Sequence, residues 1–313
     1  MLEKSFSDSE LVLGLIGAVG TDLQKVRDIL RDRLKVIGYK VAQVRVTRQV
    51  IPKIVAPKRH PKGDEHARLV ALMDAGDAAR SRSGDNSILA LGAAAFINSR
   101  RKTANPKRPR HRARQAYIIS SLKHPEEVER LRAIYPHGFY LIGVHSDEKR
   151  RKKWLREDKQ ITDGAQISDL ISRDEDGRLP HGQRVADTFH LSDFFVRIDD
   201  DEDRLKRSLW RILALLFGHP YATPTFDEYA MFTAFAASLR SADLSRQVGT
   251  VVAIQEQVLA TGSNDTPKAG GGQYWAPEAK LPEDLKFPED GRDFARGHDP
   301  NKVEQQKIID DVL

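Results

Sequence analysis

Short apolar runs and longer amphipathic stretches alternate through the first two thirds of the chain. Leu11–Ile16 (LVLGLI) is apolar throughout, the pattern of a strand buried on both faces of a parallel sheet. Behind it, Leu23, Val26, Leu30 and Leu34 recur at helical spacing and predict a helix from Leu23 to Ile37. Tyr39–Val46 predicts a second strand, Glu65–Ala79 and Asn86–Asn98 two helices, and Ala116–Ser121 a third strand. A helix over Pro125–Tyr135, a strand over Gly138–Val144 and a charged helix over Glu148–Glu157 are expected next. Ile161–Arg184 is polar, with Asp169, Asp174, Glu175 and Asp176, and reads as an excursion from the sheet. Thr188–Ile198 predicts a last strand, and Leu205, Leu209, Ile212 and Leu216 mark one face of a helix over Arg204–Phe217. Strands and helices alternating at these lengths specify an α/β fold, a parallel sheet with flanking crossover helices.

Gly218-His219-Pro220 ends that helix and Pro224 opens a linker, so a first domain over 1–220 and a boundary near 218–224 are expected. In the remainder, Phe226, Tyr229, Ala230, Thr233 and Ala237 fall on one face of a helix. Gly249–Ile254 and Val258–Gly262 are β-branched runs separated by Gln255–Gln257, which predicts a hairpin. Ser263-Asn264-Asp265-Thr266-Pro267 is a loop of turn formers. Helix, hairpin and loop form the start of a second α/β domain over 224–313.

Composition narrows the setting. The 313 residues are 40% hydrophobic, enough for ordinary cores, and no run approaches the length of a membrane span. No signal peptide is recognisable, so a soluble, cytoplasmic protein with no membrane partner is expected. The net charge of +6 is local. Arg100, Arg101, Lys102, Lys107, Arg108, Arg110, Arg112 and Arg114 lie in one short segment without an acid. Two prolines within it predict a loop or lid, which suits nucleotide phosphates, an RNA backbone or plain solvent. Asp199–Asp203 is acidic and suits a divalent cation or, at the head of a helix, a cap.

Gly17-Ala18-Val19-Gly20-Thr21-Asp22 joins the first strand to the first helix, the geometry in which backbone N–H groups and a helix N-terminus hold a phosphate. Against G-x-x-x-x-G-K-[ST], Gly17 takes the first position, but Asp22, Leu23 and Gln24 replace the Gly, Lys and Ser/Thr. Lys25 comes too late to serve as that lysine. Two readings stay open, a nucleotide-phosphate site for ATP or GTP and a structural βα turn. Ser120 and Ser121 end the strand at which many P-loop proteins carry a magnesium-binding Asp. Binding or scaffolding is therefore expected rather than phosphotransfer.

Arg240-Ser241-Ala242-Asp243, Ser245-Arg246-Gln247-Val248-Gly249 and Gly262-Ser263-Asn264-Asp265-Thr266-Pro267 resemble the opening of the deoxycytidylate deaminase family. Gly270-Gly271-Gly272-Gln273-Tyr274-Trp275 and Asp290-Gly291-Arg292-Asp293-Phe294 resemble its long bacterial members, which defend against phage by destroying dCTP or dCMP. The resemblance runs from about Thr225 to Asn301. It implies an incomplete cytidine-deaminase-like α/β domain behind a P-loop-kinase-like domain whose glycine loop has degenerate wording. It implies that Asn264 holds the deoxyribose, and Ser245, Arg246 and Gln247 are expected on the phosphate side. Deoxycytidine nucleotides as ligands, a regulatory small RNA and a homo-oligomer are implied in the same way.

That family needs zinc, held by the His of an H-x-E motif and two thiolates of a P-C-x-x-C, with the Glu as proton shuttle. The sequence has no cysteine. Its one H-x-E, His124-Pro125-Glu126, reads as a helix N-terminus after a strand. The family's metal motifs follow the region at which this chain stops, at Val303–Leu313. The sequence is therefore expected to be a truncated product or fragment that carries no catalytic residue and no metal ligand of its own.

Overall fold

Five strands form a parallel sheet whose central strand is buried on every side. The computed structural model describes residues 9–104, 111–175, 182–268, 270–275 and 291–312. They form two compact units, Met1–Ala222 and Thr223–Leu313. In the first, β1 (Leu11–Ile16), β2 (Lys40–Arg45), β3 (Gln115–Ser120), β4 (Phe139–Ser146) and β5 (Phe194–Ile198) run in the order β2-β3-β1-β4-β5. All six residues of β1 are buried, because it has a parallel neighbour on each edge and a helical layer on each face.

Alternation along β1 sends side chains to two separate cores. Leu11, Leu13 and Leu15 pack with Val26, Leu30 and Leu34 of α1 (Leu23–Val36). Leu205, Leu209, Ile212 and Leu213 of the last helix of this unit join the same core. Val12 and Ile16 face the opposite way, into a core completed by Val46, Val50, Ile51, Leu89, Ala93, Ile97 and Val128. Val46–Val50 forms a single π-helical turn after β2, and α2 (Ile51–Ile54) continues from it. The helices α3 (Glu65–Ser83), α4 (Ile88–Ala104) and α5 (Pro125–Ile134) follow.

The polar region after Glu148 departs from expectation. α6 (Glu148–Glu157) forms as read, but residues 161–184 are not a featureless excursion. They contain α7 (Gly164–Glu175), which buries Ile167, Leu170 and Ile171 with Leu155 and Ile161 in a third, smaller cluster. Three apolar residues spaced i, i+3, i+4 were outweighed in the sequence by the acids around them; Asp176 lies outside the described residues. The last strand is also shorter than Thr188–Ile198. α8 (Val185–Phe189) takes its first part, and β5 starts only at Phe194.

The basic segment is likewise reassigned in part. α4 runs on to Ala104, so Arg100, Arg101 and Lys102 are helical rather than in a loop. Arg101 pairs with the carboxylate of Glu10, which also accepts a hydrogen bond from the Arg112 backbone N–H at 2.8 Å. Lys107, Arg108 and Arg110 lie outside the described residues. Two other charged features resolve as helix caps. The Asp201 side chain caps α9 (Glu202–Leu216) by accepting from the Arg204 N–H at 2.9 Å. The His124 ring caps α5, accepting from the Glu126 N–H at 3.3 Å.

In the second unit, Thr225 and Glu228 form a capping box at the head of α10 (Phe226–Ser238). Ala234 is its one buried residue among those described; Phe226, Ala230, Thr233 and Ala237 of the expected face are half-buried around it, while Tyr229 is 54% exposed. The Gly249 backbone lies close against this helix: an added Cβ there would lie 1.9 Å from the Ala234 carbonyl oxygen. β6 (Gly249–Ile254) and β7 (Gln257–Ser263) pair antiparallel through Gln255 and Glu256, whose φ angles are 49° and 59°. Two positive φ values make this a type I′ turn, without the Asn or Gly that normally supplies them. α11 (Asp293–Arg296) and α12 (Pro300–Val312) follow. Among the described residues no helix is long and apolar enough to cross a membrane.

Two outcomes follow for stability. Gly249→Ala is expected to cost the second unit about 2–3 kcal/mol or more in urea unfolding, since backbone rather than a pliable side chain blocks the new methyl group. In the first unit, the buried Arg80 guanidinium donates to Glu127 at 2.8 Å and to Asp77 at 3.1 Å. Burial pushes the Asp77 carboxyl up to about 6 from 3.8, against the pull of Arg80. Folding raises this acid's affinity for protons, so its contribution is fully present below pH 3.8 and is lost as pH rises to about 6. The stability of wild type minus that of Asp77→Asn is expected to fall by about 1–2 kcal/mol between pH 4 and 6, after allowing for partial solvent screening. Urea titrations of both proteins across that range measure it.

Candidate functional site

Because β1 ends inside the sheet, its C-terminal turn opens at the carboxyl edge beside the neighbouring strands. Gly17–Asp22 makes that turn and delivers the chain to the head of α1. Gly20 has φ 86°, and the Thr21 N–H donates to the Ala18 carbonyl at 3.0 Å, which closes the loop tightly. The Asp22 carboxylate caps α1, accepting from the Lys25 N–H at 3.1 Å. The acid that breaks the P-loop wording is therefore a helix cap.

The loop lines a cavity of about 280 Å³. Its opposite wall is apolar, from Ile51, Leu69, Leu72, Met73 and Trp154, while Arg27, Arg80, Lys123 and Lys159 bring positive charge. Arg27 is held below its ordinary pKa, first by burial and then by the charge of Arg45. Such a site favours an anion, which would relieve the crowding of like charges. The Thr21 hydroxyl and the Gln183 side-chain oxygen are buried here and have no hydrogen-bond partner among the described residues. Ser121, at the end of β3, lines the same cavity with φ 75°, a strained conformation for a residue other than glycine.

Two side chains that sequence reasoning did not assign to the loop reach it from far along the chain. The Lys123 ammonium donates to the Gly17 carbonyl at 3.0 Å and to Asp174 Oδ1 at 2.8 Å. Asp174 Oδ2 accepts from the Val19 N–H at 2.6 Å. Separations of 106 and 155 residues left no local signal for either contact. The lysine missing from the loop's own wording thus has a counterpart on the β3–α5 connection.

In the second unit, Asn264 is the hub of a loop. Its Oδ1 accepts from the Val248 N–H and the Ser241 hydroxyl, both at 2.8 Å. Its Nδ2 donates to the Arg246 carbonyl at 2.8 Å and to Asp243 at 3.2 Å. Asn264 also lines a polar cavity of about 260 Å³ with Asp243, Asp265, Asp293, Arg296 and Asn301. Burial, then the charges of Asp243 and Asp299, push the Asp293 carboxyl up. The Ser245 and Arg246 N–H groups donate to Asp243 Oδ1 at 2.7 and 2.9 Å, and the Gln247 amide donates to the Asp243 carbonyl. Those three residues shape the loop beneath Asn264 and are not among the residues lining that cavity.

His124 does not belong to a metal motif in this arrangement: its ring caps α5, and burial followed by the charge of Arg80 holds its pKa down. A neutral imidazole suits that role, since the cap accepts a hydrogen bond.

No family model matches the chain. Among curated proteins, a UPF0200 protein of Methanothermobacter thermautotrophicus is 28% identical over 102 residues, 33% of this chain and 52% of that protein. A UPF0200 protein of Saccharolobus solfataricus is 29% identical over 91 residues, 29% of this chain and 46% of that protein. The chain thus spans about half the length of the curated relatives it matches. Among solved structures, shikimate kinase from Acinetobacter baumannii aligns over 70% of this chain and 99% of its own, at 9% identity and TM-score 0.38. A gluconokinase from Sinorhizobium meliloti aligns over 69% and 99%, at 14% identity and TM-score 0.33. An uncharacterized protein from Eubacterium ventriosum aligns over 66% and 97%, at 10% identity and TM-score 0.37. The first unit has an α/β fold: a five-stranded parallel sheet flanked by helices, with a glycine loop after its central strand.

Replacement of Gly20 tests the loop. Gly20→Ala forces an L-residue to φ 86° and sets its Cβ 2.8 Å from the Arg151 Cβ and carbonyl oxygen. A loss of about 1–3 kcal/mol is expected in thermal or urea unfolding of the first unit.

Proposed function

We propose that the first unit is a nucleotide-binding domain that takes the phosphates of ATP or GTP at Gly17–Asp22. The observation that carries this reading is the loop itself, set at the head of a 14-residue helix, with the Lys123 ammonium 3.0 Å from Gly17. Backbone N–H groups, the helix N-terminus and a lysine together make an anion site, and the adjoining apolar wall suits the rest of a nucleotide. No carboxylate stands at Ser120 or Ser121 to hold magnesium, which favours binding over phosphotransfer. The partial identity to the UPF0200 proteins is consistent with such a domain but names no ligand.

The second unit, on this reading, is the opening part of a deoxycytidine nucleotide deaminase that acts on dCTP or dCMP in phage defence. Support comes from the linked motifs between Arg240 and Phe294 and from Asn264, which lines a polar cavity. The residues present do not fit the zinc site of that family. The sequence contains no cysteine, and the His of its one H-x-E caps a helix. No deamination step is therefore assigned to side chains of this chain. A nucleic-acid role for Arg100–Arg114 has less support, because Arg101 and the Arg112 backbone are already engaged by Glu10.

Thr21→Val tests the nucleotide site with little change of shape. Titration calorimetry with MgATP and MgGTP is expected to show single-site binding to the wild type. The variant, which lacks only the unpaired hydroxyl, is expected to bind up to about tenfold more weakly. Its melting temperature should hold or rise, since a buried polar group without a partner has been removed. Absence of binding to either nucleotide at millimolar concentration would overturn the reading.

A further inference from the structure

Asp174 is buried completely, yet it belongs to a helix that packs on neither sheet core. Its two oxygens are shared between a loop N–H and an ammonium: Val19 N–H donates to Oδ2 at 2.6 Å and Lys123 donates to Oδ1 at 2.8 Å. An anion bridging a glycine-loop amide and a lysine is what a bound phosphate group would be. We infer that the Asp174 carboxylate occupies an anion position of the Gly17–Asp22 loop and holds it closed until a phosphate ligand displaces α7. This rests on the reading of that loop as a phosphate site, and adds a built-in competitor to it.

Two features make displacement feasible. α7 is anchored by Ile167, Leu170 and Ile171, part of a cluster of five buried residues separate from the two cores on β1. Its other ties include the partly exposed pairs Arg173–Asp74 and His66–Asp169, both at 3.3 Å. Exposed pairs of that kind contribute little to stability. Val19 of the glycine loop packs against the same cluster, beside the carboxylate that it holds. A phosphate and the carboxylate cannot share one amide and one ammonium, since two like charges a few ångströms apart in a buried site repel strongly.

The thermodynamic consequence is a linkage. A ligand that binds only the open loop binds the whole population more weakly, in proportion to the fraction that is open. Removing the competitor raises that fraction. The ammonium of Lys123, freed from Asp174, then becomes available to the incoming phosphate.

The test compares wild type, Asp174→Ala and Asp174→Asn with MgATP and with inorganic pyrophosphate, each titrated calorimetrically. Hydrogen exchange of residues 164–175 is followed alongside. Circular dichroism establishes that each variant is folded, and Asp174→Asn keeps the shape of the side chain if the alanine variant does not fold. About tenfold or greater tightening is expected for Asp174→Ala, with less for Asp174→Asn. MgATP is expected to speed exchange in residues 164–175 of the wild type. Equal affinity in all three proteins, or exchange in that helix unchanged on binding, would sink the inference while leaving the nucleotide reading intact. Pyrophosphate binding that tightens in the variants without any nucleotide binding would support the competitor and overturn the nucleotide reading. Binding of neither probe to any of the three would overturn both.

Discussion

The burial of β1 on both faces and both edges is the constraint from which the first unit follows. A strand with six buried residues has no side on which a polar connection can run across the sheet. Its parallel neighbours must be reached by crossovers, and the helices of those crossovers fill the two layers that cover it. The strand can only release the chain at its carboxyl end, which concentrates Gly17–Asp22, Ser121 and Lys123 in one place. Ligand sites of open parallel sheets lie at that edge for the same topological reason.

The cavity at that edge is electrostatically unfinished. Burial and a neighbouring arginine hold the pKa of Arg27 down, and among the described residues the Thr21 hydroxyl has no hydrogen-bond partner, so an occupant with negative charge and acceptor oxygens would settle both. The buried Asp174 carboxylate accepts from the Val19 N–H beside it. Pairing by Lys123 makes that burial tolerable, since a lone charge of this kind would cost several kcal/mol. The arrangement therefore balances stability of the closed loop against access to it.

Periodicity made most of the sheet legible. β1 and α6 match the residues read from the apolar and charged patterns, and most other elements shift at their ends by a few residues. What escaped was non-local. α7 was hidden because Asp169, Asp174 and their neighbours dominate its composition, while only Ile167, Leu170 and Ile171 hold it down. The tail of α4 was mistaken for loop because the prolines beyond it were given the whole basic segment. The loop Gly17–Asp22 was found from its spacing, but Lys123 and Asp174 arrive through tertiary contacts that no short motif encodes. Asn264 was singled out by resemblance; its four hydrogen bonds explain why an Asn suits that position even as a purely structural residue.

The turn at Gln255 and Glu256 carries one more implication. Two ordinary L-residues in left-handed geometry oppose hairpin closure by roughly 1–2 kcal/mol each. A two-stranded ribbon has little stability of its own to set against that. The register of β6 on β7 must then be imposed from outside, by the fit of Gly249 beneath α10. Assembly of this unit should accordingly proceed from helix docking toward the turn, with the tip of the ribbon the last part to become ordered and the first to fray.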